Sequence, residues 1–174
     1  MNPKPKNIGL IGFMATGKTT IGRKLADVLS WQFCDTDEII ESRTGKEISQ
    51  IFSEEGEDTF RLLESDVVKE VCGLKKTVIS FGGGAPLNPE NRRLIEENVS
   101  VVLLRASADT IVARTSESGT RPLLNVTEDH LERRVQSLLN KRNEIYTEMM
   151  DVEIWTDELN AEEAVNVIVE RLKL

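Results

Sequence analysis

Short apolar runs alternate along the chain with longer stretches in which apolar residues recur every three or four positions. The short runs predict strands, and several are apolar or β-branched at successive positions, as in strands that are covered on both faces. The periodic stretches between them predict helices. Strands are predicted at residues 7–11, 31–34, 77–81, 99–104 and 152–155. This alternation predicts βαβ crossovers, and therefore an α/β fold with a parallel sheet flanked by helices.

Two segments interrupt the alternation. The second and third predicted strands are separated by about 40 residues whose apolar positions fall at helical spacing, which predicts a helical insertion at about 36–72. Residues 115–129 contain a glycine, a proline and several short polar side chains, which predicts a mobile loop that acts as a lid. Both segments could cover a bound ligand.

Composition and charge narrow the class of protein. A chain of 174 residues fits one domain, residues 1–174, and its net charge of −8 argues against broad nucleic-acid binding, which needs a basic face. No apolar run is long enough for a membrane span and no signal peptide is apparent, so we expect a cytoplasmic protein. The lack of a large apolar stripe favours a monomer. Cys34 and Cys72 lie beside apolar residues, which predicts reduced core thiols.

The first predicted strand runs into a phosphate-binding motif. Residues 12–19, GFMATGKT, match the pattern G-x-x-x-x-G-K-S/T and lead into an amphipathic helix, so that successive N–H groups can face an anion. In this motif, called the P-loop below, Lys18 reaches the β- and γ-phosphates and the Thr19 hydroxyl coordinates Mg²⁺. A plain glycine-containing turn with a solvated lysine is the alternative. The context favours a nucleoside triphosphate.

Further candidate residues follow the second and third predicted strands, where a parallel sheet opens toward its ligand crevice. Asp35 and Asp37 could hold a hydrated metal ion and orient or deprotonate an accepting hydroxyl, as phosphoryl transfer requires. Alternatively, Asp37 only caps the next helix. The run Gly82, Gly83 and Gly84 predicts close approach of backbone to a ligand, with a loose turn as the alternative.

Three arginines are candidates for binding anions. Arg142 lies eleven positions after Leu131, at nearly the same helical angle, and so continues an inward apolar stripe, where an arginine needs an anionic partner. Arg61 borders the apolar stripe of the insertion, and Glu64 could orient it, but a surface ion pair is an equal alternative. Arg121 in the predicted loop could swing over the γ-phosphate, or be an ordinary surface arginine.

These features favour a small-molecule kinase over other nucleotide-binding proteins. A GTPase would need a guanine-reading signal such as N-K-x-D, and the chain has only NKRN, at residues 140–143 inside a predicted helix. An ATPase motor would usually be longer. Two other readings stay open: a different small kinase, such as a gluconate or nucleoside monophosphate kinase, and a nucleotide-binding regulatory protein without transfer activity.

The ordered set of motifs resembles the shikimate kinase family. In chain order they are GFMATGKTT at 12–20, FCDTDEIIE at 33–41, GEDTFRLLE at 56–64, ISFGGGA at 79–85, RPLL at 121–124 and KRNEIY at 141–146. The resemblance implies transfer of the ATP γ-phosphoryl group to the 3-hydroxyl of shikimate, with Mg²⁺, on the route to chorismate and aromatic amino acids. It also implies a P-loop fold of the nucleoside-monophosphate-kinase type, with five parallel strands in the order 2-3-1-4-5.

The resemblance assigns a role to each matching residue. Lys18, Asp37 and Arg121 would be catalytic, with Asp37 the candidate base and Arg121 the lid arginine that touches both substrates. Thr19 and Asp35 would support the metal ion. Shikimate would be bound by Asp37, Arg61, Gly82, Gly83, Gly84 and Arg142, the two arginines holding its carboxylate. The nucleotide would be bound by Ala15, Thr16, Gly17, Lys18, Thr19, Thr20, Arg121 and Arg114, the last at the position that stacks on adenine.

Ala15 departs from the family pattern, because this position of the P-loop is usually glycine in shikimate kinases. The two glycines of the general motif remain, so we expect nucleotide binding to survive with an altered stiffness of the loop. His130 matches no motif, and we expect it to be a solvated helix residue.

Overall fold

A parallel sheet forms the centre of the molecule. The computed structural model describes residues 7–118 and 128–174. Within these ranges five strands lie in the order β2-β3-β1-β4-β5, and every neighbouring pair is parallel, which confirms the predicted architecture. The strands are β1 Ile8–Ile11, β2 Gln32–Asp35, β3 Thr77–Ser80, β4 Ser100–Arg105 and β5 Val152–Trp155.

Helices cover both faces of this sheet. On one face α1 and α8 bury residues such as Leu25 and Val165 against β1 and β4. On the other face α4, α5 and α7 pack on the sheet through residues that include Val68, Ile95 and Tyr146. The helices are α1 Lys18–Leu29, α2 Thr36–Thr44, α3 Ile48–Glu54, α4 Glu57–Cys72, α5 Pro89–Asn98, α6 Ala108–Ser118, α7 Glu128–Met149 and α8 Ala161–Leu172, and a short 3₁₀ helix, Ala85–Leu87, precedes α5.

The predicted helical insertion consists of α2, α3 and α4. Its apolar side chains differ in burial. Ile40, Ile51 and Phe60 are buried in the core, whereas Ile48 and Phe52 are only half-buried. The amide of Ile48, the first residue of α3, donates to Glu41 Oε1 at 2.9 Å, which ties α3 to α2. The insertion is therefore packed onto the sheet as part of the same core.

The predicted mobile loop at 115–129 was wrong at both ends. Helix α6 continues to Ser118 and α7 begins at Glu128, so residues 115–118 and 128–129 are helical. Short polar residues are compatible with a helix when they bond to its own backbone, and the buried Thr115 hydroxyl donates to the carbonyl of Ile111 at 2.7 Å. The remaining residues of the loop, 119–127, and the side chain of His130 lie outside the described residues.

Two further expectations concern the cysteines and the membrane. Cys34 and Cys72 are free thiols packed in or against the core, as predicted. Burial raises the pKa of Cys34 to about 11 and that of Cys72 to about 12, so both remain protonated at neutral pH. In the described part of the chain, every helix is too short or too polar to cross a bilayer.

The parallel sheet brings three functional segments to one edge. Because the strands all run in the same direction, the segments that follow β1, β2 and β3 leave the sheet at the same end. They are the P-loop, the start of α2 with Asp35 and Asp37, and the run of three glycines at 82–84. The carboxyl edge of a parallel sheet is where ligands bind in this class of fold.

Candidate active site

The P-loop turns from β1 into α1 through two glycines with positive φ angles. Gly12 has a φ of 142°, and a Cβ at this position would collide with the carbonyl oxygen of Leu104. Gly17, with a φ of 93°, immediately precedes α1 and has no side chain that could cap the first N–H groups of the helix. These N–H groups are therefore available to an anion, which the positive end of the helix dipole also favours.

Ala15 explains why this loop position favours glycine. Its φ of 58° lies in the left-handed region, which costs a residue with a Cβ about 1–2 kcal/mol. Two hydrogen bonds stabilise the backbone around this strained alanine. Thr16 Oγ1 donates to the carbonyl of Phe13 at 2.8 Å, and the Ala15 carbonyl accepts from Arg114 Nη1 at 3.1 Å. An alanine in place of glycine at position 15 therefore introduces backbone strain, and the neighbouring hydrogen bonds stabilise the strained conformation.

Lys18 lies along the inside of the P-loop. Its ammonium group donates to the carbonyls of Gly12 at 3.0 Å and Phe13 at 2.8 Å. Burial lowers the pKa of Lys18 to about 8, although the carboxylates of Asp37 and Asp35 favour its charged form. A positive charge is thus held in a poorly hydrated position beside two carboxylates.

Asp35 joins the P-loop helix to the insertion. One carboxylate oxygen, Oδ2, accepts from the Thr19 hydroxyl at 2.8 Å, and the other accepts from the Asp37 amide at 3.0 Å. Asp35 is therefore the N-cap of α2, and the alternative in which Asp37 caps this helix was wrong. The reason is that β2 ends at Asp35, one residue later than predicted, so the cap falls on the first aspartate.

Asp37 presents a buried oxygen that no described residue satisfies. Its Oδ1 atom is inaccessible to solvent and accepts no hydrogen bond from any of these residues. Burial raises the pKa of Asp37 to about 7, the charge of Asp35 adds to this effect, Glu64 and Glu41 contribute less, and Lys18 opposes it. A carboxyl group that titrates near neutral pH beside a phosphate-binding lysine can exchange a proton with a substrate hydroxyl.

The three consecutive glycines leave room for the charged side chains of the site. A Cβ on Gly82 would lie 2.6 Å from Asp37 Oδ1, and one on Gly83 would lie 3.3 Å from Arg142 Nη1. A Cβ on Gly84 would collide with the guanidinium group of Arg61. The sequence predicted that a ligand approaches this backbone closely. The structure shows that side chains of the protein, those of Asp37, Arg142 and Arg61, also lie close to these glycines.

Two hydrogen bonds fix the glycine run, which is not a loose turn. The Gly82 amide donates to Thr36 Oγ1 at 2.9 Å, at the start of α2. The buried Tyr146 hydroxyl donates to the carbonyl of Gly83 at 2.6 Å from the far end of α7. Tyr146 ends the motif at 141–146, but its role was missed because only the tertiary structure shows which backbone group it reaches.

Arg61 and Arg142 flank the glycine run. Arg61 Nη1 lies 2.7 Å from the carboxylate of Glu64, which is almost fully buried, and Nη2 lies 3.1 Å from Glu57. The guanidinium group of Arg142 lies over the Phe13 ring, 5.3 Å from its centroid. Arg61 can therefore form an ion pair and still bind a ligand, because its side chain pairs with Glu64 and also borders open space.

That open space is a cleft of about 570 Å³ between the P-loop and the insertion. Lys18 and Asp37 lie on its walls, and so do most of the residues predicted from sequence. The insertion adds four residues that the sequence did not single out, namely Glu41, Ile48, Ser49 and Phe52. The signal of Ile48 and Phe52 was faint, because apolar residues at helical spacing are normally assigned to the core. The other lining residues are Met14, Ala15, Gly17, Arg61, Gly83, Gly84, Arg114, Thr115 and Arg142.

A smaller hollow of about 300 Å³ adjoins this cleft beside the start of α1. It brings together Thr19, Asp35 and the exposed Thr20, with Lys18 and Asp37 shared between the two spaces. Of the residues predicted from sequence, Arg121 lies outside the described residues. The others are gathered around these two spaces, apart from Gly82, which lies against Asp37, and Thr16, whose hydroxyl is turned into the P-loop.

Comparisons with known proteins agree with this geometry. A family model described as "Shikimate kinase" matches residues 14–173. The shikimate kinase of Thermodesulfovibrio yellowstonii is 43% identical over 94% of this chain and 93% of its own length, and that of Legionella pneumophila is 43% identical over 97% and 95%. A solved structure of shikimate kinase from Acinetobacter baumannii in complex with shikimate has a TM-score of 0.90 and 36% identity, covering 95% of this chain and 92% of that one. The chain belongs to the shikimate kinase family.

Proposed function

We propose that this chain, an ATP-dependent kinase of the shikimate kinase family, phosphorylates the 3-hydroxyl of shikimate and releases ADP and shikimate 3-phosphate. This reaction belongs to the route to chorismate and aromatic amino acids. One observation carries the proposal: Asp37 Oδ1, a buried atom that accepts no hydrogen bond from the described residues, belongs to a side chain that lines the same cleft as the P-loop lysine and two arginines. Family membership and the likeness to a relative that was solved with shikimate support the choice of acceptor.

The nucleotide would lie along the P-loop. The N–H groups from Ala15 to Thr20 and the ammonium of Lys18 would bind its phosphates, because no side chain among the described residues caps the start of α1. Lys18 already lies in place, since the carbonyls of Gly12 and Phe13 orient it. Arg114, at the edge of the same cleft, would border the adenine.

The acceptor would lie across the cleft, with its carboxylate between Arg61 and Arg142. Guanidinium groups bind carboxylates through strong, charge-assisted hydrogen bonds. Glu64 holds one edge of Arg61 at 2.7 Å, which limits the orientations of its remaining donors. This arrangement would leave the 3-hydroxyl free to face Asp37, and Gly82 leaves the space that the Asp37 carboxyl group needs.

Asp37 would act as the general base. Its Oδ1 atom would accept the proton of the 3-hydroxyl as the oxygen of that hydroxyl bonds to the γ-phosphorus and the bond to the ADP oxygen breaks. A pKa of about 7 suits this role, because the group is ionised above neutral pH yet retains basicity. Lys18 would stabilise the charge of the transferred group, and Arg121, which lies outside the described residues, would contact both substrates.

The site also fits Mg²⁺. Thr19 and Asp35 place a hydroxyl and a carboxylate oxygen 2.8 Å apart at the end of the P-loop, and such hard oxygen donors, completed by water and substrate phosphates, are those that Mg²⁺ prefers. When bound, the ion would neutralise phosphate charge and fix the geometry of the β- and γ-phosphates. Asp35 would act through water, since it also caps α2.

We also infer that the chain works as a monomer without nucleic acid. The lack of a large apolar stripe in the sequence favours a monomer. The net charge of −8 opposes binding to a nucleic-acid backbone. Consumption of ATP also fits the cytoplasmic location expected from the sequence.

The proposed reaction can be tested with a panel of acceptors in an assay of ADP release. Shikimate should support turnover, and gluconate and nucleoside monophosphates should not. The Asp37→Asn variant should lower kcat with shikimate by about 10² or more, because an amide cannot accept the proton, while the Kd for Mg·ADP stays within about threefold. Asp66→Asn, which changes an exposed carboxylate on α4, serves as the control. Normal turnover in Asp37→Asn would remove this residue from the mechanism.

The raised pKa of Asp37 predicts the pH dependence. Below about pH 7 the carboxyl group is protonated and cannot act as a base, so kcat/KM for shikimate should fall as the pH decreases through that value. Glu41→Gln removes a negative charge that raises this pKa, and its amide oxygen can still accept from Ile48. The midpoint should therefore move to lower pH by about 0.3 to 0.5 units.

The control for this pH profile is Glu38→Gln, which removes an exposed carboxylate of the same helix that pairs with Arg23. It should leave the midpoint where it is in the parent enzyme. An unchanged midpoint in Glu41→Gln, or a midpoint near the ordinary aspartate value in the parent, would contradict the assignment of the acid limb to Asp37.

The carboxylate assignment predicts a specific defect in Arg142→Ala. The KM for shikimate should rise about 30-fold through loss of a charge-assisted hydrogen bond, while the KM for ATP stays within about twofold. The methyl ester of shikimate should be a poor substrate for the parent enzyme, and Arg142→Ala should discriminate less between acid and ester. Arg133→Ala, an exposed change on the same helix, is the control. Undiminished discrimination in Arg142→Ala would show that the carboxylate binds elsewhere.

A further inference from the structure

A group of hydrogen bonds joins the P-loop to the end of β5 and to α6, and centres on Thr156. This threonine follows β5 and is almost fully buried. Its hydroxyl lies 3.2 Å from the carbonyl oxygen of Thr16 and 3.0 Å from that of Arg105, and its amide donates to the Arg105 carbonyl at 2.8 Å. Thr156 therefore connects Arg105, at the end of β4, to Thr16 of the P-loop.

Arg114 completes the group from α6. Its Nη1 atom donates to the Ala15 carbonyl at 3.1 Å and to the Thr156 hydroxyl at 3.0 Å, and its Nη2 atom donates to the Thr156 carbonyl at 2.6 Å. Two consecutive carbonyls of the P-loop, those of Ala15 and Thr16, are thus both held by side chains that come from distant parts of the sequence.

Holding these carbonyls also orients the N–H groups of the same peptides. In a planar trans peptide the C=O and N–H bonds point in opposite directions. The carbonyls of Ala15 and Thr16 share their peptides with the N–H groups of Thr16 and Gly17. These N–H groups must therefore point away from Thr156 and Arg114, in the direction from which an anion would approach the start of α1.

The backbone of Ala15 makes this support necessary in this chain. A glycine would adopt a φ of 58° without strain, whereas an alanine is drawn toward negative φ and would rotate the adjoining peptide. We propose that Thr156, acting with Arg114, is a positioning residue that holds Ala15 in its left-handed conformation and the Thr16 peptide beside it in place, and so keeps the P-loop N–H groups directed at the nucleotide phosphates. This inference rests on the proposed function, because it assumes that the P-loop binds a nucleotide.

The test measures the Kd for Mg·ADP by calorimetry with the full chain. Thr156→Val removes the hydroxyl at nearly constant volume and should raise the Kd about tenfold, whereas Thr156→Ser should keep it within about threefold of the parent value. Thr77→Val is the matched control. Thr77 is also a buried threonine whose hydroxyl donates to a carbonyl, but it begins β3, at the opposite end of the sheet from the P-loop.

The same substitution in an Ala15→Gly background separates positioning from general stability. Glycine needs no support at this φ angle, so Thr156→Val should then raise the Kd by only about threefold or less. In steady-state assays of the Ala15 chain, Thr156→Val should raise the KM for ATP about tenfold. The KM for shikimate and the kcat at saturating ATP should each change less than twofold, a split that a merely destabilised protein would not produce.

Equal losses of affinity in the two backgrounds would overturn the inference, and so would failure of Thr156→Ser to preserve binding. If Thr156→Val does not fold, Thr156→Ala replaces it, since alanine also lacks the hydroxyl and carries no branched side chain. The same dependence on Ala15→Gly is expected, and its absence would again overturn the inference. A parent chain that does not bind Mg·ADP would overturn the proposed function as well, whereas equal losses with an active parent would overturn only the positioning role.

Discussion

The constraint around which the site is organised is a buried carboxylate oxygen that accepts no hydrogen bond from the part of the chain that the structure describes. Leaving such an atom unsatisfied is costly, and a catalytic role is one reason that proteins keep one. Asp37 Oδ1 is this atom, and its environment holds the group near the boundary between its charged and neutral forms. The lysine of the P-loop, with a pKa lowered by burial, lies within electrostatic reach. The pair joins the phosphate-binding half of the site to the half that would hold the acceptor.

The fold produces this juxtaposition through the direction of its strands. Three segments that are distant in sequence meet because β1, β2 and β3 all end at the same edge of the sheet. Asp35 then fixes their relative positions, since its two oxygens bond to Thr19 on one helix and to the amide of Asp37 on the next. A change in the cap of α2 would therefore be felt both at the phosphate loop and at the proposed base.

Much of the architecture could be predicted from sequence, because the alternation of short apolar runs and helical periodicity repeats along the chain. The motifs around Lys18, Asp37, Arg61 and Arg142 also identified side chains that the structure brings around one cleft. The alternation did not locate the limits of α6 and α7, since short polar residues occur both in loops and in helix ends. Periodicity also could not show that Asp35, rather than Asp37, caps α2, because the cap depends on where β2 stops.

Other features depended on tertiary contacts and had no sequence signal of their own. The positive φ of Ala15 follows from the closure of the P-loop, and the contacts of Tyr146 and Thr156 join residues that lie 63 and 140 positions apart along the chain. These contacts govern backbone groups of the glycine run and the P-loop, and therefore the shape of the site. Sequence motifs therefore identify candidate catalytic and binding side chains more readily than they identify residues that position the backbone of the site.

A crystal structure of the complex with Mg·ADP and shikimate would show whether Asp37 Oδ1 accepts a hydrogen bond from a hydroxyl of the acceptor. We expect the shikimate 3-hydroxyl oxygen within about 3 Å of Asp37 Oδ1, with the carboxylate of the ligand between Arg61 and Arg142. A complex in which shikimate is bound with its hydroxyls turned away from Asp37, or in which Oδ1 still has no partner, would contradict this expectation.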